Sequence, residues 1–382
     1  MRTITLNICV ALFVAAAAAA PAMDFGVIIN QELTLTDDDV SYSAMAMPWF
    51  ASPVGEQADL NLSGGIGYEY ANEKGYLRFE LYRFELAWYP LADASFGFGR
   101  QNFQDSLGLI MTGLFDGVSA SFYNIGGGRL DAGVFYTGLL YKKTASITMT
   151  LHDQSNYYDD DVYFASSRLA AGVNWEKTTI FNSQGSISLS GIFQFDLNDT
   201  DSKLHSQYLA AKYSMPLGAA FSFECGAAFE LLEAAGNDPR AAFAVVTDVQ
   251  WMLPGGLPDM LSWGVRFSTG NGDNVAAFTP LTDMEQGKVL LPNFSSIAML
   301  QADYTARLPY NLFLEAFAAC LFSTDEYSAS PFLGAEFYAG LSWAPFSDLV
   351  VALGGGLFFP HTGDGNNADV KYRLKLTAGI SL

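Results

Sequence analysis

Histidine and serine are the side chains from which nucleophilic chemistry at neutral pH is often built. The chain of 382 residues has three histidines, and His205 is followed directly by Ser206. Successive side chains on a β-strand point to opposite faces, however, whereas a nucleophile must lie within hydrogen-bond reach of its base. The sequence therefore predicts a protein that is not an enzyme and that needs no cofactor.

Acidic residues outnumber basic ones by 40 to 19, which gives a formal net charge of −21 and a pI near 4.3. Nucleic acid is excluded as a partner, because phosphate binding needs a basic surface. Much of the acid is concentrated in short segments such as 37–39 and 159–161. Two interpretations remain: a mouth that attracts cations or binds calcium, and a solvated rim that repels its neighbours. The run at 157–161 lacks the ligand spacing and glycine of an EF-hand loop, so no metal site is predicted.

The elements that carry these residues show a period of two along the whole chain. Apolar residues take every second place at 187–197, 243–251, 333–343 and 370–382, with polar residues between them. Each run is about 10 to 12 residues long, which suits a tilted strand that crosses a bilayer. Strands in lipid must close into a barrel, because an open edge would leave backbone groups without hydrogen bonds. The fold class predicted is thus an all-β transmembrane antiparallel barrel.

The N-terminus has the layout of a secretory signal peptide. Arg2 supplies the positive start, residues 8–20 form an apolar core, and Ala20-Pro21-Ala22 is a cleavage site of small residues. We expect residues 1–22 to be the signal peptide and 23–382 to form a single outer-membrane barrel domain.

Alternating short and long connections give the strand count and the orientation. Short segments rich in Pro or Gly are typical of periplasmic turns, and longer or more acidic ones are typical of extracellular loops. On this basis we expect eighteen strands with both termini on the periplasmic side, or sixteen if the weak strand at 40–48 is lost. The last strand must pair with the first, at 24–35, and its apolar end at Leu382 resembles the signal read by the barrel-assembly machinery. The lipid of the bacterial outer membrane is the other expected partner, and both a monomer and a trimer fit the pattern.

The polar residues between the lipid-facing ones are expected to line the interior. A barrel of eighteen strands is too wide for its side chains to fill, so it leaves an aqueous lumen unless it is plugged. The sequence predicts a porin-like channel for passive diffusion of small polar or charged solutes; the alternative is a non-conducting surface barrel that acts as an adhesin or a structural protein. Loops 138–163 and 270–295 either fold into the lumen as a constriction or lie outside as surface flaps. The candidate pore-lining residues are Arg100, Asp116, Arg168, Glu224, Asp248, Arg266, Arg307, Lys371 and Arg373.

One region carries more than barrel patterning. The motifs in residues 81–122 are Tyr82-Arg83, Gly99-Arg100-Gln101 and Phe115-Asp116-Gly117. This stretch resembles the porin-like part of alginate-export-type outer-membrane proteins, which implies an 18-stranded barrel that exports or takes up a polar solute and favours Arg100 and Asp116 as site residues. Arg83 interrupts the alternation, and a β-bulge at 82–83 would return the apolar residues on both sides of it to the lipid face. Alginate exporters are expected to have a strong excess of arginine in the pore, whereas acids lie among the bases here, so alginate is not predicted as the solute.

Overall fold

The computed structural model describes residues 23–71, 73–159, 161–180, 184–198, 203–234, 238–328, 330–361 and 369–382. The expected signal peptide therefore lies outside the described residues. Eighteen antiparallel strands form a single closed sheet. Their bounds are β1 Asp24–Thr36, β2 Val40–Pro53, β3 Ala58–Ala71, β4 Lys74–Leu91, β5 Ala94–Gln104, β6 Thr112–Ile125, β7 Gly128–Tyr136, β8 Arg168–Ile180, β9 Gly185–Asp196, β10 Leu204–Pro216, β11 Phe221–Ala234, β12 Arg240–Met252, β13 Asp259–Ser268, β14 Ile297–Leu308, β15 Leu312–Ser323, β16 Phe332–Phe346, β17 Leu349–Pro360 and β18 Lys371–Ser381.

The barrel closes where β1 pairs with β18, in a register that puts Ile29 opposite Ile380 and Leu35 opposite Leu374. The expected seam between the first and last strands is confirmed. The weak strand at 40–48 is real, since β2 pairs along its length with β1 and with β3. The count is therefore eighteen and not sixteen.

The outer face of the barrel is apolar because one set of alternating side chains points away from the lumen. On β9 these are Leu189, Phe193 and Phe195, and on β18 Leu374 and Leu376, all of them exposed. Polar neighbours on the same strands point inward, as Gln194 does. Exposed aliphatic and aromatic side chains on almost every strand make a surface that is stable in lipid and not in water.

The bulge expected at 82–83 is present. Ser63 of β3 faces Arg83 and its neighbour Gly64 faces Leu81, so Tyr82 is the extra residue. The bulge keeps Phe79, before it, and Phe84, after it, on the same exposed face.

The longest connections of the barrel lie on one side of it. Counted from the first connection on that side, they include L3 (105–111), L4 (137–167) and L7 (269–296). L4 contains the helix α1, Leu151–Tyr158, and Pro309–Asn311 forms a short 3₁₀ turn on the opposite side. Within the described ranges no helix is long and apolar enough to cross a bilayer.

Candidate functional site: a lumen shaped by three inward loops

L3 is wound around one carboxylate. Asp105 accepts hydrogen bonds from four backbone N–H groups, those of Leu107 (2.8 Å), Gly108 (3.0 Å), Ile110 (2.8 Å) and Met111 (2.9 Å). Buried backbone donors are costly when they have no acceptor, and a single carboxylate satisfies all four. L3 is therefore a compact element with its own internal order.

L3 enters the lumen and reaches across it. The backbone N–H of Ser106 donates to Ser190 Oγ on β9 at 2.8 Å. Leu107 lies close to the backbone of Gly226 on β11, where a Cβ would collide with it. Because L3 starts from β5 and β6, these contacts mean that the tip of the hairpin leaves the wall and lies over strands several places away.

L4 is held to the wall by its helix. Thr150 caps the N-terminus of α1 and forms a capping box with Asp153. Asp153 Oδ2 lies 2.5 Å from Arg168 Nη2 on β8, and Arg168 Nη1 contacts Asp196 on β9; these charged side chains are buried. Burial alone would raise the pKa of Asp153, but the backbone N–H of Thr150 and the charge of Arg168 outweigh it and hold that pKa below its usual value.

L7 crosses the interior and joins the other two loops. Its Thr279 N–H donates to Glu230 Oε2 on β11 at 2.8 Å, and the carbonyl of Thr279 accepts from the hydroxyl of Tyr208 on β10 at 2.5 Å. It meets L4 where the Thr148 N–H donates to the Leu281 carbonyl at 3.0 Å, and it meets L3 where Thr282 N–H donates to the Ile110 carbonyl at 3.0 Å.

A small hydrophobic core forms inside the barrel where the three loops meet. Its loop members are buried as fully as the core of a water-soluble domain, and they include Ile110, Met111, Ile147, Phe278, Leu281 and Phe294. Such a core keeps the loops in place by removing apolar surface from the water of the lumen. Of the two arrangements that the sequence allowed for the long loops, the structure has the inward one.

The space that remains includes a cavity of about 900 Å³ between the tip of L7 and the strands β13 to β18. Its charged residues are mixed in sign: Asp259, Glu285, Lys288, Arg307, Glu315, Arg373 and Lys375. Lys288 Nζ lies 2.6 Å from Glu315 Oε1, and Lys375 Nζ lies 2.9 Å from Glu32 Oε2 at the seam. These side chains are each about one-third exposed, so water and solutes can reach them.

Six of the nine candidate residues lie on lumen-facing positions that solvent reaches. Glu224 lies 3.0 Å from Lys212, and Arg266 donates to Gln286 of L7 at 3.0 Å. Arg307 lies over the ring of Phe313, and Arg373 lines the cavity. The other two are Asp248, which is partly exposed between Glu224 and Arg266, and Lys371, which is exposed at the start of β18.

Arg168 points inward as expected but lies beneath α1, with no exposed surface. Its guanidinium serves two carboxylates and is sealed from the lumen. This placement differs from the expectation of a solvent-lined residue, because sequence alternation gives the face of a strand but not what covers that face.

Arg100 and Asp116 differ more from the sequence interpretation, which placed Arg100 on the lumen face. They share the face of Phe98 and Val118, which are exposed on the outside, and no register shift separates them. Arg100 binds both oxygens of Asp116, at 3.0 and 2.6 Å, and is 5% exposed.

The backbone around Arg100 explains this burial. The ladder between β4 and β5 runs on β4 from Phe84 to Leu91 in the described residues, so the upper half of β4 lacks β5 as a partner. Arg100 donates instead to the carbonyls of Leu81 (2.5 Å) and of Leu139 in L4 (2.9 Å). Tyr163 of L4 likewise donates to the carbonyl of Phe79 at 2.5 Å. Arg100 and Tyr163 thus donate hydrogen bonds to β4 carbonyls that β5 does not pair with, because β5 leaves the wall toward L3 at this point.

Sequence reasoning did not place Asp105, Glu230 and Lys288 in the site. It assigned Glu336 to the lumen face by alternation, but it did not predict the contact of Glu336 with L7. Asp105, Glu230 and Glu336 are fully or nearly buried, and each accepts hydrogen bonds from loop backbone. The available signal for Glu230 was an isolated acid at an inward position among small and apolar residues. Among the described residues, no group of three or more His, Cys, Asp or Glu side chains is arranged to hold a metal ion.

No protein-family model matches the chain, and no curated protein matches it in sequence. Solved structures are similar. Pseudomonas aeruginosa OpdK with vanillate is 11% identical, with 95% of this chain and 99% of that chain covered and a TM-score of 0.68. OpdQ of the same organism is 14% identical, with 94% of this chain and 98% of that chain covered and a TM-score of 0.64. OprD of Pseudomonas aeruginosa is 13% identical, with 95% of this chain and 96% of that chain covered and a TM-score of 0.59.

At these identities the likeness is one of fold. The similar chains include OpdK, described as an outer membrane protein, and they match along almost their whole length. A closed antiparallel barrel with an even number of strands and an apolar outer belt is the architecture of bacterial outer-membrane proteins. The protein is an 18-stranded β-barrel of the bacterial outer membrane with a porin-like fold.

Proposed function

We propose that the protein is a channel through which small polar or charged solutes diffuse passively across the outer membrane. The observation that carries the proposal is the charged cavity of about 900 Å³ between the tip of L7 and the strands β13 to β18. A barrel filled only to support surface contacts would have no need of solvent-exposed Lys288, Glu315 and Arg373 inside it. Because L3, L4 and L7 occupy part of the lumen, small solutes are favoured.

The resemblance to alginate-export proteins supplies no solute. Four bases and three acids line the cavity, and three of the seven, Lys288, Glu315 and Lys375, form ion pairs. A polyanion would need an uninterrupted basic path, whereas a mixed lining can bind either sign of a small solute at separate points. The similar OpdK structure contains vanillate. A solute of the size of vanillate is compatible with the cavity of about 900 Å³ in this protein.

The test is electrical. The refolded protein is added to a planar bilayer, and its folding is checked by the heat-dependent mobility of barrels on gels. We expect discrete conductance steps and, in liposome swelling, entry of small sugars and amino acids but not of oligosaccharides. A correctly folded barrel that never conducts at any voltage would refute the channel and would favour the non-conducting surface barrel.

A further inference from the structure

The tip of L7 is a small hairpin that docks on β16 and β17, two and three strands along the wall from β14. Glu285 and Asn293 form an antiparallel bridge, and Gln286 N–H donates to the Pro292 carbonyl at 2.7 Å. The residues between them, 287–291, make the tip. This tip borders the 900 Å³ cavity through Gly287, Lys288 and Leu291.

Glu336 of β16 binds the tip by its backbone. Its Oε1 accepts from Lys288 N–H at 2.9 Å, and its Oε2 accepts from the N–H groups of Val289 at 3.2 Å and Leu290 at 3.1 Å. Glu336 has no exposed surface. Hydrogen bonds from backbone to a buried carboxylate are about twice as strong as neutral ones, and three in succession fix the orientation of the tip as well as its position.

The wall opposite the tip is shaped to receive it. A Cβ at Gly356 of β17 would stand 2.7 Å from Val289 Cγ2, so glycine leaves the notch that Val289 occupies. Gly287 has a φ of 79°, a left-handed conformation that favours glycine, and a Cβ there would collide with Glu336 Oε1. The shape of the wall and the hydrogen bonds to Glu336 therefore favour the same position of the L7 tip.

Docking at this position determines where the side chain of Lys288 lies. Its Nζ is 2.6 Å from Glu315 Oε1 and 5.8 Å from the centroid of the Tyr338 ring, and the side chain remains 38% exposed to the cavity. Arg373 and Lys375 line the same cavity from β18. A loop residue is thus held in the aqueous space as firmly as residues of the wall.

We infer that Lys288 is a determinant of solute selectivity and that Glu336 is the positioning residue that places it in the path. The inference rests on the proposed channel function. Glu336 does not touch the solute; it acts through the backbone of the tip. Lys288 presents a positive charge that a solute meets together with the carboxylate of Glu315.

The experiment compares three variants with the native protein in planar bilayers under a KCl gradient. Lys288→Glu should shift the reversal potential toward the equilibrium potential of K⁺. Glu336→Gln leaves the wall shape intact but weakens three hydrogen bonds, so it should give a smaller shift in the same direction together with increased open-channel current noise. Glu56→Gln is the control for the same chemical change, because Glu56 is exposed in the turn between β2 and β3, on the side of the barrel opposite L7; it should leave the noise unchanged.

A second measurement separates positioning from general damage. With Lys288→Cys, a charged thiol reagent should block current at a rate that falls when Glu336→Gln is added and that Glu56→Gln does not alter. An unchanged reversal potential in Lys288→Glu would overturn the role of Lys288. Native noise and native block rates in Glu336→Gln would overturn the role of Glu336. Loss of conductance in the native protein would instead refute the channel itself.

Discussion

Arg168 fastens L4 to the wall of the barrel, and its replacement by methionine is expected to release that loop. The guanidinium bridges Asp153 of α1 and Asp196 of β9, and the whole group is buried. Methionine keeps much of the apolar length of arginine but none of its charge. Two carboxylates would then face each other in a space that water does not reach.

The size of the effect follows from this burial. Removing one partner of a buried ion pair costs about 3–5 kcal/mol, because the remaining charge is left uncompensated. The side chains that remain, Asp153 and Asp196, are only 2% and 1% exposed. Since about 1.4 kcal/mol corresponds to a factor of ten, docking of L4 should weaken by roughly two to three and a half orders of magnitude. The strand ladders do not depend on the guanidinium, so the barrel should still fold.

Two assays follow the release of L4. Limited proteolysis should cleave L4 in Arg168→Met and spare it in the native protein, and the bilayer current of the variant should be noisier. The triple variant Arg168→Met, Asp153→Asn, Asp196→Asn should recover much of the protection, because no charge is stranded in it. If Arg168→Met alone retains both the protection and a quiet current, the buried triad does not hold L4. A changed ion selectivity with L4 still protected would instead make Arg168 a lumen charge.

Three further predictions test the wall and the loop junction. Gly99→Ala should destabilise the barrel to thermal denaturation, because Gly99 has a φ of 101° and a Cβ there would strike the carbonyl of Phe84. Leu376→Arg should cost about 2–4 kcal/mol in urea unfolding from lipid, since Leu376 faces outward near mid-strand, whereas the matched inward change Thr377→Arg should cost little. Burial raises the pKa of Asp283 in L7, although the hydroxyl of Thr148 acts to lower it, so its charge opposes the packing of L4 on L7. Acidification should therefore strengthen the packing of L4 on L7 and reduce the current noise. The Asp283→Asn variant should show low current noise at neutral pH and no change of noise with pH. Greater noise in the native protein at acid pH would contradict this prediction.

The strands could be predicted because each one obeys a local rule. The alternation of apolar and polar residues predicted which face of β9, β12, β16 and β18 meets lipid. The pairing of β1 with β18 could be predicted because backbone groups in lipid must all be hydrogen-bonded, which requires a closed sheet. Even the bulge at Tyr82 could be predicted, because a slip of one residue reverses every side chain that follows. The even strand count followed from the alternation of short and long connections.

The candidate site could be predicted only in part. Glu224, Arg266 and Arg373 are on the lumen face, as alternation indicated. Arg100 and Asp116 were expected in the pore from the motif. Instead, Arg100 binds Asp116 and donates a hydrogen bond to the backbone carbonyl of Leu81, where β5 bends inward. That bend depends on contacts of L3 with β9 and β11, which are far away in sequence.

The sequence by itself therefore determined the barrel, its closure and the lipid face of strands with regular alternation such as β9, β12, β16 and β18, because a period of two and the bilayer leave one solution there. The tertiary structure alone decided what the lumen contains. Single buried carboxylates, Asp105, Asp153, Glu230 and Glu336, each gather or dock a loop by hydrogen bonds to partners that no local pattern specifies. Loop positions depend on such long-range pairs and on a shared hydrophobic core, and these exist only once the barrel has brought their members together.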